Sequence, residues 1–553
     1  MKNIIPAMIL LLLQISVFSQ KWEHIYGNPG TDESFQALTE FYDKGYLLSG
    51  VSKANQGTWL IKTDINGNTL YEKILVMEDS DISTPICTNL SVNQHGEIIC
   101  TGHINKDWPG QQWIEAWPWI TKMDSCMEIG WCRAFQRTFC DGSIRDIHIL
   151  DNGKIITLID FQDWLFGESH TYIFCISPNG DLLWKQKYWI WVPGGIYFDT
   201  VKVNDLEIMG NNYVISGDGW YHYLGSPYIL YHGPFFLMLN SDFEAEWCRS
   251  FGTADTIEGK TFKSIALNDS VFIGAGVLIS DGLGDQCLLM FVDKYGNELG
   301  YKTIPNDSIG TSVAWSYIDG IERINDSLFM VSIEVGDSDT SSYRGEMIID
   351  TSARIYHKVF HPKATGGKSG MIRTFDGKYA IGCSWEEADT IHDIYFYKIN
   401  ENLEQDTVYP GNYTYDSLCP YQIQSEVIDI SYCVTINVNI EEAPAPEDYY
   451  AGLKTIPIKV FPNPVPKAFG NVVTFRFENT EYLPPRPPSV PPKGGKDPSL
   501  RIFNIFGEKV HEERIYRGQG ESRLNVSAWP QGMYIAVVVN EGRVVGRVKF
   551  VVR

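Results

Sequence analysis

The sequence is short of positive charge. Against 68 Asp and Glu it sets 45 Lys and Arg, a formal net charge of −23 over 553 residues. Phosphate backbones are held by basic surface through counterion release, so a nucleic-acid partner is not expected. After the first twenty residues no uncharged apolar run reaches the ~20 residues that a bilayer-crossing helix needs, and no transmembrane segment is expected once those residues are removed. The 11 Cys contain no Cys-x-x-Cys pair, which leaves a zinc knuckle or dithiol redox motif unsupported. The 11 His are scattered singly, and neither a Gly-x-Ser-x-Gly elbow nor a His-Glu-x-x-His stretch occurs. Gly366-Gly367-Lys368-Ser369 imitates the end of a phosphate loop, but Pro362 stands at the earlier glycine position and no strand-to-helix unit surrounds it. It reads as a plain loop, and no catalytic residue is assigned.

What is present is a globular composition, 44% hydrophobic and 20% charged. Lys2, the apolar run Ile4 to Val17 and Ser19-Gln20 read as a cleaved secretory signal spanning residues 1–20. The remaining charge is split. Residues 456–553 hold 15 basic and 8 acidic residues, or +7, which leaves −31 for residues 21–455 once Lys2 is set aside. Two folded bodies of opposite charge are implied.

A polar turn followed by an aromatic strand recurs along the acidic body. It appears at Asp64 to Asn68 before Tyr71, Asp124 before Trp131, Ser177 to Asp181 before Trp184, Asn240 before Trp247, Asp293 to Asn297 before Tyr301 and Asp350 before Tyr356, with a weaker copy at Asn400. The mean period is 56 residues. Asn-Gly between apolar runs predicts a type I′ hairpin. Gly-led apolar strands such as Gly45 to Gly50, Gly96 to Gly102 and Gly377 to Gly382 keep the same period. No helical periodicity intervenes, so each unit predicts one antiparallel sheet, and seven sheets predict a β-propeller over residues 21–410, with six or eight blades as the alternatives because the fourth and sixth units are irregular. Trp22 to Gly27 matches the strand that follows the turns, and is expected to complete the last blade and close the ring. These units resemble the tandem propeller-like repeats of large secreted Bacteroidetes proteins, with their Gly-led strand, Lys-x-Asp and Trp.

The tail carries a more specific pattern. Val460-Phe461-Pro462-Asn463-Pro464, Leu500 to Val510 with Gly507, Pro530-Gln531-Gly532-Met533-Tyr534 and the terminal Lys549-Phe550-Val551-Val552-Arg553 follow one another in an order that resembles the C-terminal sorting domain of the type IX secretion system of Bacteroidetes. The resemblance implies a small β-sandwich over residues 456–553 and handling by the type IX machinery. It also implies export through the periplasm to the medium or the outer cell surface. The Pro-rich insert Leu483 to Pro498 is a departure expected to be an extended loop. The whole chain is thus expected to be all-β, a seven-bladed propeller followed by a C-terminal sandwich, with a linker at 411–455 in which Cys419 and Cys433 are candidates for a disulfide.

Ligand chemistry is less visible. Of 16 Trp, 11 fall between residues 100 and 250. Trp108, Trp113, Trp117, Trp119, Trp164, Trp220, Tyr221 and Tyr223 lie outside the repeated strand positions, where flat rings can stack on a sugar or anchor a protein. No cofactor is expected. Calcium is a candidate at Asp281 with Asp285 and Asp337 with Asp339, where a solvated acidic loop accounts for the same residues. The favoured function is a non-enzymatic binding module for glycan or protein. The alternatives are a propeller glycosidase or lyase with its site in the central funnel, and a structural or adhesive surface protein.

Overall fold

The computed structural model describes residues 21–438 and 458–553, apart from internal segments that include 108–113, 164–168, 191–197, 223–229, 252–257 and 478–497. The signal segment and nearly all of the Pro-rich insert lie outside these residues. The chain divides into two compact units, 1–439 and 440–553. Regular structure is almost entirely strand; the helix described is one turn, Asn306–Ile309.

Local chemistry builds the larger unit. In the first turn, Asp64 Oδ1 accepts the backbone N–H groups of Asn66 and Asn68, both at 2.8 Å, and Gly67 N–H closes on the Asp64 carbonyl at 3.1 Å. Asp124, Ser177, Asn240, Asp293, Asp350 and Asn400 accept the same two N–H groups in their own turns. Positive φ falls on one residue per turn: Gly67, Met127, Gly180, Phe243, Gly296, Ala353 and Leu403. This is a type I turn with a left-handed bulge residue, not the expected type I′ turn, because the first side chain stabilises the type I geometry by satisfying two N–H groups.

Four antiparallel strands join through such turns into a sheet, and seven sheets of this kind occur among the described residues of this unit. Third strands such as Gly57–Thr63 and Ser169–Ile176 are buried almost throughout, as expected for strands covered on both faces by neighbouring sheets. Fourth strands such as Thr69–Val76 alternate and face solvent. The innermost strands touch in sequence from Glu33–Glu40 round to Ala364–Arg373, which returns to Glu33–Glu40, so the unit is a closed propeller. Numbering blades from that first strand, Glu23–Tyr26 pairs antiparallel with Ile391–Ile399 and completes blade 7, as expected. Trp22 is fully buried behind it against Tyr46 and Phe396.

The recurring Trp pins one blade to the next. Trp22, Trp131 and Trp247 each donate the indole N–H to the second carbonyl of the following blade's turn, at Ile65 (3.0 Å), Pro178 (2.9 Å) and Lys294 (2.9 Å). Two of these rings lie where the turn residue's Cβ would stand: a Cβ on Gly180 would come within 2.6 Å of Trp131, and one on Gly296 within 2.9 Å of Trp247. Glycine there serves both the positive φ and the close approach.

Residues 405–438 form a belt across three blades. Tyr409 N–H donates to Asn66 Oδ1 at 2.7 Å, Ile65 N–H donates to the Tyr415 hydroxyl at 3.0 Å, and the Tyr71 hydroxyl donates to Asp416 at 2.9 Å. Glu426–Asp429 and Val434–Asn437 then add parallel fifth strands to blades 1 and 2. The anticipated Cys419–Cys433 disulfide does not form. Cys126 is bonded to Cys419 and Cys132 to Cys433, with Cα separations of 5.0 and 4.7 Å. Sequence proximity suggested one loop, whereas the belt places each cysteine over a different part of blade 2. Cys132, in the strand Ile129–Gln136, is therefore a partner, and residues 411–438 are part of the propeller rather than linker.

Under the belt lie two buried lysines. Lys62 sits 3.0 Å from both Asp43 oxygens beneath the Phe41 and Tyr415 rings, and Lys398 lies 3.1 Å from Asp376 and 3.9 Å from Asp406; both lysine side chains are 0% exposed. Blades 3 to 6, which the belt does not reach, place Cys175, Met238, Phe291 and Ile348 in that register.

Candidate binding channel and sorting surface

Each innermost strand slips its register against the second strand at the same place. The slips fall between Phe35 and Ala37, Cys87 and Asn89, Ile144 and Asp146, Val203 and Asp205, Thr261 and Lys263, Ile318 and Gly320, and Thr365 and Gly370. A bulge leaves a residue unpaired and re-aims its neighbours. Six of the bulges hold one residue; that of blade 7 holds four, Gly366-Gly367-Lys368-Ser369. The bulges set Asp146, Asp205, Lys263, Asp319 and Lys368 on the wall of a central cavity of about 440 Å³ to which all seven blades contribute.

Innermost strands are sheet edges with unpaired backbone groups, and side chains of adjacent blades supply the missing partners. Asn89 donates to the Ile144 carbonyl at 3.1 Å. Asp146 accepts Leu206 N–H at 3.0 Å, Asp205 accepts Ser264 N–H and Oγ–H at 2.8 Å each, and Glu207 accepts Ala266 N–H at 3.1 Å. Lys263 donates to Asp205 at 2.6 Å, and Asp319 accepts Ser369 Oγ–H at 2.8 Å. Most of the channel carboxylates therefore act as seams between blades.

The channel also tunes its own charge. Burial pushes Asp205 up, but the Lys263 ammonium and the Ser264 donors outweigh it and hold the carboxyl below its usual range. Burial would lower Lys263, yet Asp205 and Asp146 keep it charged. Burial raises Glu207 and Glu322 to about 7. Lys368 is open to solvent along the channel but ringed by protein; desolvation, then Lys263 and Arg145, bring its ammonium down to about 7. Further out, Asp160 is raised to about 6 by burial against the pull of Arg145.

Of these residues the sequence singled out Lys368 alone, in a stretch read as a plain loop that is instead the bulge of blade 7. A signal existed: Asp146, Asp205, Lys263 and Asp319 follow one another at 59, 58 and 56 residues, charged side chains in phase with the repeat. Of the expected aromatic platform, Trp117 and Trp119 are 6% and 0% exposed and belong to the core between blades, donating their indole N–H groups to Glu115 and the Ile86 carbonyl. The apolar seam claims them, so they offer no stacking surface. Trp108, Trp113, Trp164 and Tyr223 lie outside the described residues, as do the side chains of Trp220 and Tyr221. Asp281 and Asp339 lie outside them too, and no group of three or more metal-ligating side chains suited to an ion occurs among the described residues.

The C-terminal unit is a sandwich of two sheets. Ile458–Phe461, Val472–Phe477 and Glu521–Asn525 form one, and Lys509–Arg514, Ser499–Asn504, Gly532–Asn540 and Arg543–Val552 the other. Val473, Phe475, Leu500, Ile502, Ala536, Val538 and Phe550 fill the space between them. The two ends of the unit are zipped together: Asn463 Oδ1 accepts Val551 N–H at 3.1 Å, Asn463 donates to the Lys549 carbonyl at 3.3 Å, and Val465 N–H donates to the Val551 carbonyl at 2.8 Å. Pro462 and Pro464 flank that asparagine. The Tyr534 hydroxyl donates to the Pro530 carbonyl at 2.7 Å, fixing the turn that ends in Gly532. Gly507 lies outside the described residues.

The fold is therefore a propeller with a polar central channel, carried on one chain with a small sandwich whose first and last segments form a single surface. Residues 459–553 match the family described as the secretion system C-terminal sorting domain. The protein is handled by that secretion system and exported across the outer membrane, to the medium or the cell surface. No helix among the described residues is long and apolar enough to cross a membrane. No curated protein matches the sequence. Among solved structures, a polysaccharide lyase of the PL25 ulvan lyase family is 11% identical over 68% of this chain and 96% of its own, with a TM-score of 0.40. An α-L-arabinofuranosidase from Fusarium graminearum is 10% identical over 70% and 99%, at 0.38. The WD40 domain of SCAP from fission yeast is 8% identical over 71% and 88%, at 0.35. Similarity at this level carries no information about the channel.

Proposed function

We propose that the exported chain is a binding module for glycan or protein, without catalytic activity, and that it binds through the propeller face opposite the tight turns. The observation that carries this is topological. Connections from first to second and from third to fourth strands are all short turns on one face. The second and third strands run out toward the other face, and there the pairs Ile98–Asp107 with Ile114–Met123 and Asn212–His222 with Leu230–Leu239 are longer than Tyr46–Ser52 with Gly57–Thr63. Its route begins with residues 1–20 acting as a cleaved signal. Glycan-array binding of the full-length protein is expected, with loss in W108A/W113A; hydrolysis or elimination of a glycan, abolished by one carboxylate change, would replace this reading.

A glycosidase or lyase is the second reading, favoured by Glu207 and Glu322, two channel carboxyls near neutrality. Acid–base cleavage by such a pair needs a separation of about 5 to 9 Å across a bound sugar. For the routing, removal of Lys549 to Arg553 is expected to trap the protein in the periplasm.

A further inference from the structure

The loop Gly366-Gly367-Lys368-Ser369 is the largest break in the sevenfold register of the channel, and neither the ring nor the sorting function requires it. Gly367 takes φ +117° with open space around it, and the extra residues send Lys368 from blade 7 to the Thr88 carbonyl on blade 2. That carbonyl is the hydrogen-bond partner described for its ammonium. The carboxylates nearby are otherwise engaged: Asp205 by Lys263 and Ser264, Asp146 by Leu206 N–H, Glu207 by Ala266 N–H, Asp319 by Arg344 and Ser369. Lys263 lines the same cavity from blade 5, and Arg145 stands on the bulge of blade 3.

We propose that the channel binds a small oxyanion, the carboxylate of an acidic sugar, between Lys368 and Lys263. This deepens the binding role above and gives it a chemical class. A carboxylate entering the cavity takes the place of the Thr88 carbonyl as partner of the Lys368 ammonium and offsets its repulsion from Lys263 and Arg145. About 440 Å³ admits one monosaccharide but not an extended chain.

The site's charge changes with pH. The titratable and charged groups facing Lys368 are His103 from blade 2, Arg145, Asp146 and His148 from blade 3, Asp205 and Glu207 from blade 4, Lys263 from blade 5 and Asp319 and Glu322 from blade 6, with the Cys87 thiol behind Thr88. At pH 6 Lys368 is cationic while Glu207 and Glu322 are mostly protonated; at pH 8 the ammonium has lost its proton and both carboxyls are ionised. Anion affinity therefore falls as pH rises through 7.

Calorimetric titration of the full-length protein with sodium glucuronate, sodium sulfate and glucose tests this. Glucuronate is expected to bind at pH 6 and about tenfold more weakly at pH 8, glucose not at all. K368A is expected to lose binding, and K368R, whose guanidinium does not titrate, to keep it with a smaller loss at pH 8. Sulfate binding without glucuronate binding would overturn the sugar assignment in favour of a free inorganic anion. Equal affinity in wild type and K368A, or no binding of either anion at pH 6, would overturn the site. A glycan captured on an array that survives K368A would overturn this channel site and leave the face-binding role standing.

Discussion

Blades 7, 1 and 2 are held differently from blades 3 to 6. In the first group a belt crosses the turn face, two disulfides fasten it, and buried Lys62 and Lys398 meet acidic partners beneath it. In the second group the same register is apolar and each blade relies on its neighbours. The ring is therefore reinforced near the seam where the propeller's first and last strands meet, which a cyclic array cannot stabilise by continuity of the backbone.

If the belt carries that reinforcement, removing both disulfides with C126A/C132A should have the largest effect, on the order of 5 kcal/mol. Thermal unfolding should show the same loss when the wild type is reduced, and an unchanged midpoint would remove the belt's structural role. Lys62→Met places in blade 1 the residue type that blade 4 carries at Met238. Here it strands Asp43 without its partner, at a cost of about 3–4 kcal/mol, whereas K62M/D43N should recover much of the loss because the buried pair is then replaced whole. Denaturant titration of the two variants measures the difference.

On the other side of the ring, Gly180→Ala should cost about 2 kcal/mol, since it combines a positive φ with the Trp131 ring. Gly377→Ala, also at positive φ but with no atom nearer than 4.0 Å, should cost about 1 kcal/mol. Equal losses would mean that the Trp seam contributes nothing. The last effect concerns the channel. Glu207 and Glu322 hold their protons more tightly in the folded protein than their usual value of 4.5 allows, so ionising them favours the unfolded chain, and stability should decline as pH rises from about 4.5 to 7. E207Q/E322Q should flatten that slope.

The repeat, the ring closure and the sandwich were legible because they rest on local signals: a side chain that satisfies its own turn, an aromatic six to eight residues later, a strand out of place at the N-terminus. The turn type was not, since Asn-Gly favours type I′ only when no preceding Asp, Asn or Ser captures the turn's N–H groups. The disulfide partners lie 293 and 301 residues apart, and only the belt's path joins them. The channel was hidden for a related reason. Asp146, Asp205 and Lys263 are ordinary strand polar residues taken singly, and they become a site only when bulges at one height turn them to one axis. Trp117 and Trp119 misled in the opposite direction: they stand outside the repeated aromatic register and are still core.

Closure by the first strand also has a meaning in time. Glu23–Tyr26 finds its partner only once Ile391–Ile399 has been made, more than 360 residues later. At ordinary synthesis rates of about 5–20 residues per second that interval is roughly 20 to 70 seconds. Throughout it Trp22 lacks the Phe396 side of its pocket and Glu23–Tyr26 has no partner strand, so the chain has reason to be kept unpaired until blade 7 arrives. A variant that completes blade 7 from the C-terminal side would fold without that wait.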